Sequence, residues 1–186
     1  VEELFEGAKS LKFTGGEPSI QPHYIFEVLH GLELDVPIVL HTNGYWTNEI
    51  GSLFEGVLDL AIVDFKFGTG ECAKSVAGAE RYWEVLTRNL RNAQTYDMLV
   101  RHVVVPGHVE CCTLPILEWV QGEADRRALA ANVADDLPLA KAGFDLQVLF
   151  TYAPHADGLK QLTYNRTVSD EEKARVAAVA EAIGKK

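Results

Sequence analysis

The stretch that decides the fold is Thr14-Gly15-Gly16-Glu17-Pro18, which closes an apolar run over residues 10–14. Two glycines directly after a predicted strand let the backbone come close to a ligand, because neither carries a side chain. Glu17 then places a carboxylate beside exposed backbone groups, which suits the binding of an ammonium group. A tight strand-to-helix turn also explains the two glycines, since glycine is the default turn residue.

Four further apolar runs end in polar residues or contain them. They cover residues 37–40 before His41-Thr42-Asn43-Gly44, 58–63 before Asp64-Phe65-Lys66, 98–105 around Arg101 and His102, and 145–150 before Thr151-Tyr152. The middle three of the five runs are rich in Val, Ile and Leu, as is typical of parallel strands covered on both faces. Helices are predicted over residues 24–32, 80–93 and 169–183, with residues 122–142 as a further helical layer or insertion.

Strands that alternate with helices predict an α/β fold with right-handed parallel crossovers, in a single domain that spans residues 1–186. In such sheets ligands bind at the carboxyl ends of the strands. The polar clusters fall at those ends, and burying a core does not by itself require that placement. The sequence therefore predicts a binding site at the C-terminal edge of a parallel sheet.

Charged residues on two of the predicted strands are candidates for this site. Residues two apart on a strand point to the same face, so Asp64 and Lys66 are expected to point together into the site, with Phe65 on the opposite face. They can hold sugar hydroxyls and a carboxylate, or pair with each other. Arg101 lies within a strand and shares a face with Val103. A buried arginine needs an anion, which a ligand carboxylate or Asp64 can supply.

The composition argues against several classes of function. The chain has 186 residues and a formal net charge of −10, so its surface repels phosphate backbones and anionic lipid. We therefore expect no nucleic acid and no membrane as partners. No apolar run is long enough to span a bilayer and no signal peptide is visible. Three cysteines are too few for a secreted disulfide scaffold, so we expect a cytoplasmic protein.

Taken together, the motifs resemble those of a known family. Residues 15–18, 41–44, 64–66 and 101–107 occur in the order seen in radical S-adenosylmethionine (SAM) activating enzymes, and residues 82–89 and 106–112 look like a pyruvate formate-lyase activating enzyme-like subgroup. The similarity covers nearly the whole chain, and four motifs in order are more specific than any one alone. The resemblance implies a partial (βα)6-type TIM-like barrel of parallel strands, without the first strand and the cluster-binding loop.

The resemblance also implies which residues bind SAM. The two glycines and Glu17 would bind the methionine amino group, whereas Thr42, Asp64 and Lys66 would surround the carboxylate and the ribose. His41 stands where the better-known activating enzymes have an acidic residue, a departure that bears on their monovalent-cation site. The full implied set of cofactor-binding residues is Gly15, Gly16, Glu17, Pro18, Thr42, Asn43, Asp64, Lys66, Arg101 and Val103.

The implied activity depends on a cofactor that this sequence does not hold. Radical SAM enzymes bind a [4Fe–4S] cluster through CxxxCxxC and reductively cleave SAM to a 5′-deoxyadenosyl radical. No such spacing occurs here and the chain begins at Val1, so we expect the cluster-binding segment to lie upstream and this chain to be inactive alone. The implied partners are a glycyl radical enzyme or a small-molecule substrate, and an electron donor such as flavodoxin or ferredoxin.

Two other functions compete with this interpretation. A chain that never had the cluster cysteines would be a cluster-less binding or scaffold protein with the same fold. A metal-dependent hydrolase on a parallel barrel would use His102, His108 and Glu110. His108, Glu110, Cys111 and Cys112 resemble a metal-ligand set in composition. Ligands so close in sequence do not match known closed zinc spacings, so we predict packing or a substrate-facing loop there and no metal site.

Overall fold

The computed structural model describes residues 7–32, 35–133, 144–149 and 169–184, with side chains up to residue 124 and again over residues 169–179. Five parallel strands form one sheet in sequential order: β1 (Leu11–Phe13), β2 (Ile38–Thr42), β3 (Leu60–Asp64), β4 (Asp97–Val103) and β5 (Phe144–Leu149). Parallel neighbours in chain order are the arrangement of a partial TIM-like barrel. The predicted fold class is confirmed.

Six α-helices are described: α1 (Pro22–His30), α2 (Asn48–Phe54), α3 (Gly70–Ala77), α4 (Tyr82–Asn92), α5 (Leu114–Val133) and α6 (Asp170–Gly184). A 3-10 turn over Pro18–Ile20 precedes α1, and a π turn over Val109–Thr113 precedes α5. The predictions for α1, α4 and α6 are confirmed to within two residues at each end, whereas α2 and α3 were not predicted. The predicted layer over residues 122–142 is helical to Val133, and the rest lies outside the described residues.

The main core lies between the sheet and the helices that cover it. Leu40, Val63 and Val100 from three neighbouring strands are buried, together with Leu86 from α4. Phe65, directly after β3, is fully buried in the same core, where its ring packs with those of two tryptophans, Trp83 and Trp119. This packing places Phe65 in the helical layer, the position expected for a residue on the face opposite to Asp64.

The last helix begins with the predicted capping box. The Glu172 N–H donates to Ser169 Oγ at 3.2 Å, and the Ser169 N–H donates back to Glu172 Oε2 at 2.9 Å. Val176 is fully buried in a second small core with Val104 and Leu117. The side chains at 180 and 183, predicted to share that buried face, lie outside the described residues. None of the described helices is both long and apolar enough to cross a membrane.

Gly44 closes the loop after β2 in a position that leaves no room for a side chain. Its φ is +69°, and a Cβ there would lie 2.5 Å from Leu86 Cδ1 and 2.7 Å from Val63 Cγ1. Its carbonyl accepts a hydrogen bond from Asn89 Nδ2 at 2.8 Å. The loop is therefore seated directly on α4 and β3, and its glycine is required both by the left-handed backbone and by the close packing.

We expect Gly44→Ala to lower the free energy of unfolding by about 2–5 kcal/mol, because left-handed strain of about 1–2 kcal/mol adds to overpacking of about 1–3 kcal/mol. Gly56 is the matched control, since its φ is +74° but a Cβ there would have no described atom within 4 Å. Gly56→Ala should show the strain alone. Urea denaturation of both variants measures the difference, and equal losses would contradict the close packing at Gly44.

Candidate functional site

Glu17 joins the ends of the first two strands. One carboxylate oxygen, Oε1, accepts hydrogen bonds from Thr42 Oγ1 at 2.7 Å and from the Ser19 N–H at 3.2 Å, and the other, Oε2, accepts from the Asn43 N–H at 2.7 Å. All these donors are neutral, and Glu17 forms no ion pair with any described residue. Its negative charge is therefore fixed in place by three hydrogen bonds while remaining available to a cationic group.

A second set of contacts runs across the ends of four neighbouring strands. His41 Nδ1 lies 3.4 Å from Thr14 Oγ1, and His41 Nε2 lies 3.2 Å from Asp64 Oδ1. Asp64 and Arg101 are register partners on adjacent strands, with Arg101 Nε 3.7 Å from Asp64 Oδ1. Parallel strands end at one edge of a sheet, which is why residues so far apart in sequence meet there.

His41 Nε2 also lies 3.3 Å from Arg101 Nη1, so one ring nitrogen faces both an acceptor and a donor. A protonated Nε2 donates to Asp64 and cannot accept from Arg101, whereas an unprotonated Nε2 accepts from Arg101 and cannot bond to Asp64. The two contacts are therefore alternatives set by the tautomer of the ring. A ligand that binds Asp64 or Arg101 would select between them.

Two polar atoms in this network form no hydrogen bond with any residue that the structure describes. Arg101 Nε is buried without a hydrogen-bond partner there, because the 3.7 Å to Asp64 is an ion-pair contact too long for a hydrogen bond. Asp64 Oδ2 likewise accepts no hydrogen bond from those residues, and about 30% of its side chain is exposed. The site can therefore still bond an anionic oxygen at Arg101 and a hydroxyl at Asp64.

The two glycines after β1 face open space. Gly15 and Gly16 have φ values of +87° and +49°, and both are exposed. No described atom lies within 4 Å of where a Cβ would stand at either residue. Protein packing therefore does not exclude a side chain here, and the glycines are explained by the left-handed turn. Their backbone groups border the same edge as Glu17, as the sequence predicted.

The other predicted residues lie at the same edge with different surroundings. Pro18 begins the 3-10 turn that Glu17 caps, and Asn43 Oδ1 accepts the Tyr45 N–H at 2.8 Å. Val103 is the half-buried last residue of β4. Lys66 is exposed and lies beyond the end of β3.

The alternative in which Asp64 pairs with Lys66 is not found among the ion pairs of the described residues, where Asp64 contacts His41 and Arg101 instead. The physical reason is that β3 ends at Asp64, so the alternation of side chains along a strand does not extend to Lys66. The backbone at Lys66 is held by Tyr82, whose hydroxyl accepts the Lys66 N–H at 2.9 Å. Burial raises the pKa of Tyr82, so the hydroxyl stays neutral in this role.

A group that the sequence analysis did not assemble lies beside these strand ends. Cys72, in the first turn of α3, meets His108, Cys111 and Cys112 of the turn after β4, and the four potential ligand atoms lie within 4.8 Å of one another. All three cysteines are free. Burial raises the pKa of Cys111 and of Cys112, and in both cases the contact with Cys72 raises it further. Cys72 was missed because 36 residues separate it from His108, so no sequence spacing connects them.

The hydrolase site considered from the sequence is not assembled. His102 is buried and uses both ring nitrogens, with Nδ1 2.8 Å from the Phe65 carbonyl oxygen and Nε2 2.9 Å from Thr113 Oγ1. A carbonyl can only accept, so Nδ1 carries the proton and Nε2 accepts from the threonine hydroxyl. Glu110 pairs with Arg175 of α6, at 3.1 Å. Neither residue therefore offers a free ligand atom beside His108.

The buried state of His102 predicts a pH dependence of stability. Burial lowers its pKa below the ordinary 6.5, so below pH 6.5 the unfolded chain takes up a proton that the folded chain does not. The free energy of unfolding then falls as the pH drops, with a slope of up to about 1.4 kcal/mol per pH unit. Well above pH 6.5 the imidazole is neutral in both the folded and the unfolded chain, and this histidine contributes no pH dependence.

We expect the drop in stability between about pH 7 and 5.5 to be larger in the parent than in His102→Asn, by roughly 1 kcal/mol. Asparagine keeps a donor near the position of Nδ1 but does not titrate. Urea denaturation at several pH values measures both slopes, and effects common to the two proteins cancel. Exposed His23→Asn is the control and should follow the parent. Parallel curves for the parent and His102→Asn would contradict a neutral buried imidazole.

Comparison with known proteins supports the fold. A domain of pyruvate-formate lyase-activating enzyme from Bacteroides vulgatus aligns with a TM-score of 0.53 and 16% identity, over 94% of each chain. The chain shares the fold of that enzyme domain. An uncharacterized protein of Methanocaldococcus jannaschii is 28% identical over 174 residues, which are 94% of this chain and 46% of that protein. The chain thus spans about half the length of the curated relative it matches. No protein-family model matches.

Proposed function

We propose that this chain is the SAM-binding part of a radical SAM enzyme, and that SAM binds along the C-terminal edge of β1–β4. The observation that carries the proposal is the presence of two sets of contacts at one edge, in which Glu17 offers a fixed negative charge and Arg101 an unused buried N–H. A methionine moiety carries an ammonium and a carboxylate, so it needs a partner of each sign. The shared fold with an activating-enzyme domain supports the proposal.

Each end of the ligand has a partner in this arrangement. Glu17 is held by three neutral donors, so an ammonium that binds it displaces no protein cation. Arg101 would direct Nε toward a carboxylate, and Asp64 Oδ2 would accept from ribose hydroxyls. The open backbone at Gly15 and Gly16 admits the ligand against the loop. These residues bind and orient SAM, and none of them needs to exchange a proton with it.

The described cysteines do not fit the [4Fe–4S] cluster that supplies the electron in this chemistry. The ligands of such a cluster bind different irons and must stand far apart, whereas the atoms around Cys72 lie within 4.8 Å of one another. The sequence contains no CxxxCxxC. The proposal therefore requires that the cluster thiolates come from outside these 186 residues, and the roles of this chain end at binding and placing SAM.

The hydrogen donor belongs to one of two classes under this proposal. The substrate that would supply the hydrogen atom is either a backbone glycine of a glycyl radical enzyme or a small molecule. A reduced flavodoxin or ferredoxin is the class of electron donor that we propose. A cluster-less scaffold protein with the same fold would need none of these partners and no SAM.

Glu17→Gln and Asp64→Asn should each weaken the binding of SAM to the chain by about tenfold or more, because a hydrogen bond to a charged group contributes about 1.5–3 kcal/mol. Isothermal titration calorimetry with SAM measures the affinity. The control is Glu118→Gln, which removes an exposed carboxylate of α5 that makes none of the polar contacts described above. SAM binding that survives both strand-end substitutions unchanged, or no SAM binding by the parent chain, would overturn the proposal.

A second measurement separates binding from chemistry. After anaerobic reconstitution with iron and sulfide and reduction with dithionite, the 186-residue chain should bind SAM but release no 5′-deoxyadenosine. A form of the protein that also contains a CxxxCxxC segment should release it. If the chain alone formed 5′-deoxyadenosine, the cluster ligands would have to lie within these residues, and our assignment of the cysteines would be wrong.

A further inference from the structure

We propose that Cys72, His108, Cys111 and Cys112 form a site for a single zinc ion, which ties the connection after β3 to the connection after β4. The site is separate from the SAM-binding residues and does not depend on the proposed function. It would take one borderline-soft divalent cation through three thiolate sulfurs and one imidazole nitrogen, a set found in closed structural zinc sites. This assignment replaces the prediction of no metal site, which lacked Cys72.

Four of the six distances among these atoms are close to those between the ligands of one tetrahedral ion. Cys72 Sγ lies 3.1 Å from His108 Nδ1 and 3.4 Å from Cys111 Sγ, and Cys111 Sγ lies 3.4 Å from His108 Nδ1 and 3.8 Å from Cys112 Sγ. Zinc with bonds of about 2.3 Å to sulfur and 2.0–2.1 Å to nitrogen separates its tetrahedral ligands by about 3.5–3.8 Å. The four atoms, all within 4.8 Å of one another, are therefore close enough together to share one such ion after small side-chain movements.

The same distances argue against two other uses of these cysteines. A disulfide needs only two sulfurs at about 2.0 Å, and it leaves unexplained why His108 Nδ1 lies within 3.4 Å of both Cys72 and Cys111. An iron–sulfur cluster needs ligands spread over several irons, which a group within 4.8 Å cannot provide. One mononuclear ion uses all four atoms at once.

The backbone brings the connection after β3 close to the turn that carries Cys112. Cys72 lies in the first turn of α3, which follows this connection. A Cβ at Gly68 would lie 2.3 Å from the Cys112 carbonyl oxygen, so only glycine permits this approach. Each thiol would release its proton to solvent when the ion binds.

The local fold explains how neighbours in sequence can bind the same ion. Thr113 N donates to the His108 carbonyl at 3.3 Å, a five-residue closure that widens the turn into a π turn. In this turn the adjacent Cys111 and Cys112 bring their sulfurs to 3.8 Å. π turns within helices are frequent at functional sites. The sequence spacing did not match a zinc site because it reveals neither the π turn nor the fourth ligand, Cys72 of α3.

The test uses the reduced chain, stripped of metal by unfolding with a chelator and then refolded without oxygen. We expect it to bind Zn²⁺ with a stoichiometry of one per chain, measured by plasma mass spectrometry after desalting. Co²⁺ in place of Zn²⁺ should give the intense visible bands of a tetrahedral ion and a thiolate-to-cobalt charge-transfer band in the near ultraviolet. Iron and sulfide should give no cluster spectrum in this chain.

Cys72→Ser and His108→Asn should each weaken Zn²⁺ binding by more than about 100-fold, since losing even an outer-shell partner costs about 10–100-fold. His23→Asn, an exposed histidine of α1, is the matched control and should bind as the parent does. The parent cobalt spectrum decides the question if a variant fails to fold. A weak octahedral cobalt spectrum, a Cys72–Cys111 disulfide, or zinc binding unaffected by both substitutions would overturn the site. SAM titration is a separate measurement, so either proposal can fail alone.

Discussion

The sharing of Asp64 between His41 and Arg101 is the contact on which the arrangement of the strand ends depends. Asp64 and Arg101 face each other directly across β3 and β4, and His41 reaches the same carboxylate oxygen from β2. A half-buried arginine needs a counter-charge, and this one has it from the neighbouring strand. Asp64 orients the guanidinium of Arg101, whereas Arg101 Nε has no hydrogen-bond partner among the described residues. The Asp64–Arg101 pair therefore both orders the strand ends and leaves an N–H of Arg101 for a ligand.

Much of this edge could be predicted because parallel sheets obey a simple rule. The apolar runs gave β1–β4 near their observed positions, and polar residues at their ends had to gather at one edge. The short helices α2 and α3 escaped prediction for a local reason. Each is only seven or eight residues long and begins at a threonine cap, Thr47 or Thr69. Tertiary packing, rather than helical periodicity, determines whether such short segments form helices.

Other features of the site could not be read from spacing at all. His41 departs from the pattern of a known family, yet its ring lies within hydrogen-bonding distance of residues on three other strand ends. Cys72 carried no signal in the sequence, because its partners lie on another connection. Lys66 was predicted to share a face with Asp64 by applying strand alternation beyond the end of the strand. In the structure β3 ends at Asp64, and the Lys66 N–H bonds to the Tyr82 hydroxyl. Each of these contacts depends on where a strand ends and on which helix packs over it, and residue spacing reveals neither.

The group of Cys72, His108, Cys111 and Cys112 follows the same two strands that carry part of the contacts at the strand ends. Cys72 follows β3 and His108 follows β4, the two strands that carry Asp64 and Arg101. Helix α6 braces the same connection from outside, through Glu172 to the Gly107 N–H at 2.9 Å. An ion bound there would restrain the loops that leave these strands, without touching the Asp64–Arg101 pair itself.

The π turn also limits how this connection can change in length. Loops usually accept insertions and deletions because their ends can move, but here the wide turn is continuous with α5. Removing one residue from Val109–Thr113 would rotate everything before it by about 100° around the helix axis, since an α-helix has 3.6 residues per turn. The sulfurs and the imidazole would then point to different sides, so homologous sequences that keep this group should align across the turn without gaps.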